Sequence, residues 1–207
     1  MKQLITIILV CFITGLEAQI NEKAIRSIGI SSSASMLDHS VRGQVEPYIS
    51  WGTNKNQLIL ASTILVATNI GYQSPQSPRL SGARVGYRFW PDESDNKWAF
   101  YMSADLRLQR LKDLWTGNTF NEQLSEYQEY TIKTVELLLE NYLGYGLVFN
   151  INKSLSISQG VGLGWYLSKL NSGSSVTNVQ VPDIVDYRGY DDFGFIWNVR
   201  FEINFSF

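Results

Sequence analysis

The chain has 207 residues, 17% of them charged and 13% aromatic, and a formal net charge of -2. So low a charged fraction, against about 25% in an average soluble protein, combined with a slight acidic excess, excludes the basic surface of a nucleic-acid binder. The mean hydropathy of -0.09 excludes a bundle of membrane helices, and the length allows one domain or at most two. What remains is a chain whose two faces meet different solvents.

Residues 1–18 read as a secretory signal peptide. Lys2 supplies the positive start, Leu4 to Phe12 is almost unbroken apolar sequence, and Ala18 offers a small residue for cleavage before Gln19. The apolar run is shorter than the ~20 residues that a membrane-spanning helix needs. Val10, where a lipoprotein would have a small residue, argues against lipidation at Cys11. Cleavage would leave a mature chain, 19–207, without cysteine, which excludes disulfides and thiolate chemistry. His39 is the single histidine, so an imidazole-based metal site is not expected.

From there the chain alternates with period two, the signature of strands with one apolar and one polar face. Ile28, Ile30, Ala34 and Met36 alternate with Ser27, Gly29, Ser31, Ser33 and Ser35. Val45, Pro47, Ile49 and Trp51 alternate with Gln44, Glu46, Tyr48 and Ser50. Residues 57–68 are apolar on both faces, which leaves their inward side open. Ala83, Val85, Tyr87 and Phe89 alternate with Gly82, Arg84, Gly86 and Arg88, and Trp98 to Leu108 alternate with Tyr101, Ser103, Asp105 and Arg107. Val135 to Phe149 and Leu155 to Leu167 repeat the pattern with glycines on the small face. In the last segment Phe193, Phe195, Trp197, Val199, Phe201, Ile203, Phe205 and Phe207 hold every odd position. A helical stripe can also be drawn through residues 121–142. The β-branched Thr131, Ile132, Thr134 and Val135 favour a strand there.

Eight strands result. The polar face is made of Gly, Ser, Tyr and a few charges, whereas the apolar face carries the large aromatics. A soluble sandwich or barrel would put the charge outside. The expected fold is therefore an all-β, eight-stranded antiparallel up-and-down transmembrane barrel with an apolar exterior. Connections at 52–56, 91–96 and 150–153 are short, and those at 38–42, 70–78, 113–130 and 171–192 are longer. That places short turns and both termini in the periplasm, with the longer loops outside. Trp51, Phe89, Trp90, Trp98, Phe149 and Phe205 then form an aromatic girdle on the turn side, and Trp165 and Trp197 belong to the opposite girdle.

The sequence resembles the small outer-membrane barrels of the OmpX/OmpA kind, in particular the PorT-like proteins of Bacteroidetes. The resemblance is carried by the Ala18-Gln19 junction, Val135-Glu136-Leu137-Leu138-Leu139, the run Gly160-Val161-Gly162-Leu163-Gly164 and the closing strand. Leu138 departs from the proline often found at its position. The resemblance implies that Phe207 is a signal read by the barrel-assembly machinery. It also implies a location in outer-membrane lipid, and it is nearly silent on activity.

Inside the barrel Arg84, Arg88, Arg107 and Arg200 would face Glu46, Asp105, Glu136, Glu140 and Glu202. Four positive and five negative charges point to a salt-bridged plug, because buried charge persists only when paired. The alternative is an ion path. Counting from the turn sets Arg88 level with Tyr101 and Arg84 level with Asp105. The glycine run is not a phosphate loop, because no helix follows its strand. Asp38-His39-Ser40 would need a partner from another strand to act as a hydrolytic site, since adjacent strand residues point to opposite faces. No catalytic residue, metal or cofactor is assigned.

Aromatic side chains in the longer loops, among them Trp115, Phe120, Tyr127, Tyr130, Tyr187 and Tyr190, suit a protein or glycan partner, as does the barrel wall. The reading is a non-enzymatic outer-membrane barrel that presents loops or serves a larger complex. The alternatives are an outer-leaflet lipid A-modifying enzyme and a narrow channel.

Overall fold

The computed structural model describes residues 25–37, 40–53, 55–69, 78–91, 96–121, 126–174 and 191–207. The proposed leader 1–18, the pair Asp38-His39 and the aromatic residues Tyr187 and Tyr190 lie outside the described residues.

Eight strands follow one another: β1 (Ile25–Leu37), β2 (Ser40–Gly52), β3 (Asn56–Asn69), β4 (Arg79–Phe89), β5 (Trp98–Asn121), β6 (Glu126–Asn150), β7 (Leu155–Ser174) and β8 (Asp191–Ser206). Each pairs antiparallel with the next, and β1 pairs with β8 from Ser27↔Ser206 to Leu37↔Ile196, so the barrel is closed. Closure removes both sheet edges and satisfies the backbone ladder all round. The short turns are locally encoded. Thr53 N–H donates to Asn56 O at 2.7 Å. The Asn152 side-chain oxygen accepts from Ser154 and Leu155 N–H, both at 2.8 Å, which is how an Asx residue stands in for a backbone turn.

Three expected loops give up residues to strands; at 171–192 β7 continues to Ser174 and β8 begins at Asp191. Of residues 113–130, expected as a loop, 113–121 and 126–130 belong to paired strands whose register runs from Trp98↔Phe149 to Asn121↔Glu126. The same strand pair replaces the helical alternative over 121–142. The β-branched Thr131, Ile132, Thr134 and Val135 favour extended backbone there, and Trp115, Phe120, Tyr127 and Tyr130 fall on strands. At the first connection β2 begins at Ser40 and pairs with Leu37, which draws Arg42 out of the expected loop and into the barrel.

The two faces are inverted relative to a soluble protein. Outward positions are apolar and open, with Leu143 66%, Phe195 72% and Trp197 58% exposed, while inward Glu46 and Arg107 are fully buried. On β3 the inward residues are Gln57, Ile59, Ala61, Thr63 and Leu65, which settles the side that periodicity left open. Both faces are apolar there because Ile59 and Ala61 pack inside against Tyr48, and Leu65 packs inside with Leu111, Leu138 and Ile196.

The interior is layered along the barrel. Trp90, Ala99, Tyr101 and Val148 fill the short-turn end. Polar and charged residues occupy the middle. Leu65, Leu111, Leu138, Tyr142, Tyr166 and Ile196 close the side toward the longer connections. Glycines give the large rings room. A Cβ on Gly146 would lie 2.4 Å from the Tyr101 ring and 2.5 Å from Gln159 O, and one on Gly160 would lie 2.6 Å from the Tyr101 hydroxyl.

Candidate functional site

The charged layer is the most constrained chemical arrangement in the barrel. Strand alternation aims Glu46 (β2), Arg84 and Arg88 (β4), Asp105 and Arg107 (β5), Glu140 (β6) and Arg200 and Glu202 (β8) inward, and all are buried. Arg84 and Arg107 stand directly opposite each other in register, an arrangement that is repulsive by itself. Glu46 resolves it: its two carboxylate oxygens accept from Arg84 Nε at 2.8 Å and from Arg107 Nε at 2.9 Å. Thr63 adds a third hydrogen bond to Glu46 at 3.0 Å.

From that centre the network spreads both ways. Arg84 Nη1 donates to Asp105 at 2.6 Å, and the second oxygen of Asp105 accepts from Arg200 Nη1 at 3.0 Å. Arg200 Nε lies 3.1 Å from Glu202. Glu202 also pairs with Arg88 and accepts from Ser158 at 2.8 Å. On the other side Arg107 Nη1 donates to Glu140 at 2.7 Å, and the Tyr142 hydroxyl donates to the same oxygen at 2.7 Å. Two guanidinium groups also lie over rings, Arg88 at 4.8 Å from the Tyr101 centroid and Arg107 at 5.3 Å from that of Tyr142. Four arginines and four carboxylates thus share one continuous network.

Glu136, the fifth carboxylate of the sequence reading, is not part of that layer. It lies beyond Leu138 toward the longer connections, where it pairs with Arg42 at 3.1 Å and accepts from Ser168 at 2.7 Å. Sequence reasoning missed Arg42 because it was assigned to a loop. With Arg42 included, the apparent surplus of one negative charge disappears. The signal that could have found it was that surplus itself, since an unpaired buried carboxylate is costly.

The expected level pairing of Arg84 with Asp105 is corrected by two residues: Gly86 stands opposite Asp105, and Arg88 stands opposite Ser103. β5 starts pairing with β6 at Trp98, whereas its pairing with β4 starts only at Met102, so the connection is asymmetric. Arg84 reaches Asp105 diagonally across Gly86. Arg88 goes to Glu202 instead.

Of the aromatic residues assigned to the turn-side girdle, Trp51, Phe89, Trp98, Phe149 and Phe205 lie on outward positions. Trp98 packs on Phe149 with ring centroids 4.6 Å apart. Trp90 is a correction: it is 3% exposed and faces Tyr101 inside the barrel at 5.9 Å. Phe89 is outward, so its neighbour in the chain turns in. Trp165 and Trp197 lie outward toward the opposite end, and Trp165 is 6.4 Å from Phe193. Phe207 is 77% exposed, and its N–H donates to Arg26 O at 3.0 Å. Ser40 begins β2. Among the described residues no group of three His, Cys, Asp or Glu is arranged to hold a metal ion.

No protein-family model matches the chain, and no curated protein matches it in sequence. Solved structures similar to it include the N-terminal β-barrel domain of Pseudomonas aeruginosa OprF, at 12% identity and a TM-score of 0.40, covering 87% of this chain and 97% of that one. Neisserial surface protein A is similar at 10% identity and a TM-score of 0.39, covering 89% and 97%. The outer-membrane protease OmpT of Escherichia coli is similar at 8% identity and a TM-score of 0.45, covering 90% and 98%.

Proposed function

We propose that this chain is a non-enzymatic integral outer-membrane barrel that presents its long-connection end for interaction or serves as an accessory subunit of a membrane complex. The observation that carries the reading is the inversion of its faces. The outward wall is a continuous apolar surface of Leu, Ile, Val and aromatic residues, and the inward wall holds a balanced ion network. In water that wall would expose far more contiguous apolar area than a soluble monomer carries. In lipid it is the expected exterior. In this reading the short turns and both termini face the periplasm, and the chain is a barrel of the PorT-like kind that its sequence resembles.

The lumen supports a structural rather than a conducting role. Its charge layer lies between the Trp90–Tyr101 cluster and the Leu65–Leu111–Leu138–Ile196 cluster, and an eight-stranded barrel has an interior just wide enough for side chains to fill. The test is a cell-fractionation experiment combined with electrophoresis of unboiled protein. The reading requires a compact, heat-modifiable band in the outer-membrane fraction. Recovery as a soluble species would overturn it.

A further inference from the structure

On every strand position that points outward and whose side chain is described, charge is rare and of one sign. Arg26 stands at the short-turn end; Arg110, Lys112 and Lys169 stand together at the opposite end, and all four are exposed. Arg110 and Lys169 flank Leu137 in register, one on each side. Lys112 follows two residues above Arg110 on β5. Arg79 of β4 stands opposite the buried Leu65, on the inward side of its strand, and donates to the Lys112 carbonyl, so it is not part of the outward group.

Directly below the basic group the wall is indented. A cleft of about 340 Å³ is lined by Leu108, Leu137, Leu139, Leu167 and Phe193, with Lys169 at its rim. Asp192 also borders it, but its carboxylate accepts the Tyr166 hydroxyl at 3.0 Å. Asp191 stands in register with Lys169. Three exposed basic side chains, Arg110, Lys112 and Lys169, against the one acid that borders the cleft leave the site positive.

The height fits a membrane boundary. From Trp98 to Arg110 the strand runs about twelve residues at ~3.4 Å each, which at a tilt of ~40° climbs roughly 30 Å. The basic group therefore sits at the upper edge of the apolar band, where long cationic side chains meet headgroups. The cleft sits just inside that edge, at the depth of acyl chains. Arg110 and Lys169 are separated by two strand spacings, about 10 Å, a spread that suits two phosphates on one sugar headgroup better than a single phosphodiester.

We infer that this face of β5–β8 is a binding site for a phosphorylated, multiply acylated glycolipid of the outer leaflet, with Arg110, Lys112 and Lys169 on its phosphates and one acyl chain in the Leu108–Leu137–Leu139–Leu167–Phe193 cleft. The inference rests on the outer-membrane reading above, which places this end of the barrel in the outer leaflet. Native mass spectrometry of the full barrel in mild detergent, titrated with diphosphoryl lipid A, tests it. Wild type is expected to bind one lipid A tightly and phosphatidylglycerol at least tenfold more weakly.

The combined Arg110→Gln, Lys112→Gln and Lys169→Gln variant should lose at least tenfold in lipid A affinity. Leu167→Trp, which fills the cleft, should lose severalfold, and Arg26→Gln at the far end should change nothing. If the triple variant does not fold, Arg110→Gln and Lys169→Gln separately should each show a partial loss. Unchanged binding by the basic-group variants, or equal wild-type affinity for phosphatidylglycerol, would overturn the site. Each protein is first checked for its heat-modifiable band in unboiled gels. A wild type without that band counts against the outer-membrane reading, whereas a folded barrel with indifferent variants counts against the glycolipid site alone.

Discussion

Glu46 neutralises two arginines that face each other across β4 and β5, and both of its oxygens are used. Removing a partner from a buried ion pair typically costs about 3–5 kcal/mol, because the remaining charge has no water to turn to. Arg84→Met should therefore cost about that much in urea unfolding from lipid vesicles. The double change Arg84→Met with Asp105→Leu should cost less than the sum of the single changes, with a coupling of about 0.5–3 kcal/mol, because the two side chains are 2.6 Å apart. It should not return to wild-type stability, since Glu46 and Arg200 each lose a partner. Strict additivity would mean that the two groups do not interact. That eight of these charges point inward was legible from alternation. Which carboxylate each arginine chooses was not, because a long side chain reaches diagonal neighbours on other strands and the asymmetric β4–β5 connection shifts the level by two residues.

Among the elements, the short-turn end depends on one large residue on an unexpected side. Trp90 fills the base of the barrel against Tyr101 and Val148, so Trp90→Ala should destabilise by roughly 3–5 kcal/mol. Gly146→Ala should cost about 1–3 kcal/mol, because the added methyl meets both the Tyr101 ring and the Gln159 carbonyl. Equal stability of either variant and wild type in denaturant titration would contradict the packing. The last strand makes a different kind of prediction. The Phe207 side chain is largely exposed and fills no interior position, so Phe207→Ala should cost the folded barrel well under the roughly 3–5 kcal/mol of removing a buried aromatic ring. If Phe207 is read during assembly, the same variant should lower the amount of folded barrel in cells. A loss of stability in vitro that accounts for the cellular loss would remove the case for a signal. Strand number and strand type could be read from periodicity. The lengths of β5 and β6 could not, because polar Thr- and Asn-rich strands outside an apolar band carry no two-sided pattern and resemble loops.

At the scale of the whole molecule, the ordering of the interior argues for a closed lumen. Planar bilayers containing the purified barrel should show no steady ionic conductance, since both apolar clusters bound the charge layer. Stable single-channel steps would mean that the plug opens. The exterior carries the central claim, that the apolar wall faces lipid. An arginine placed along one outward row of β6 measures it by depth, because a charge on the lipid face costs about 2–4 kcal/mol at the bilayer midplane and about 0–1 kcal/mol near the interface. Leu143, 66% exposed, lies midway between the aromatic end at Phe149 and the basic end at Leu137. Folding free energies in lipid vesicles should therefore fall by about 2–4 kcal/mol for Leu143→Arg and by no more than about 1 kcal/mol for Phe149→Arg beyond its loss of ring packing. Equal, small costs at both positions would mean that Leu143 faces water and that the barrel does not sit in a membrane.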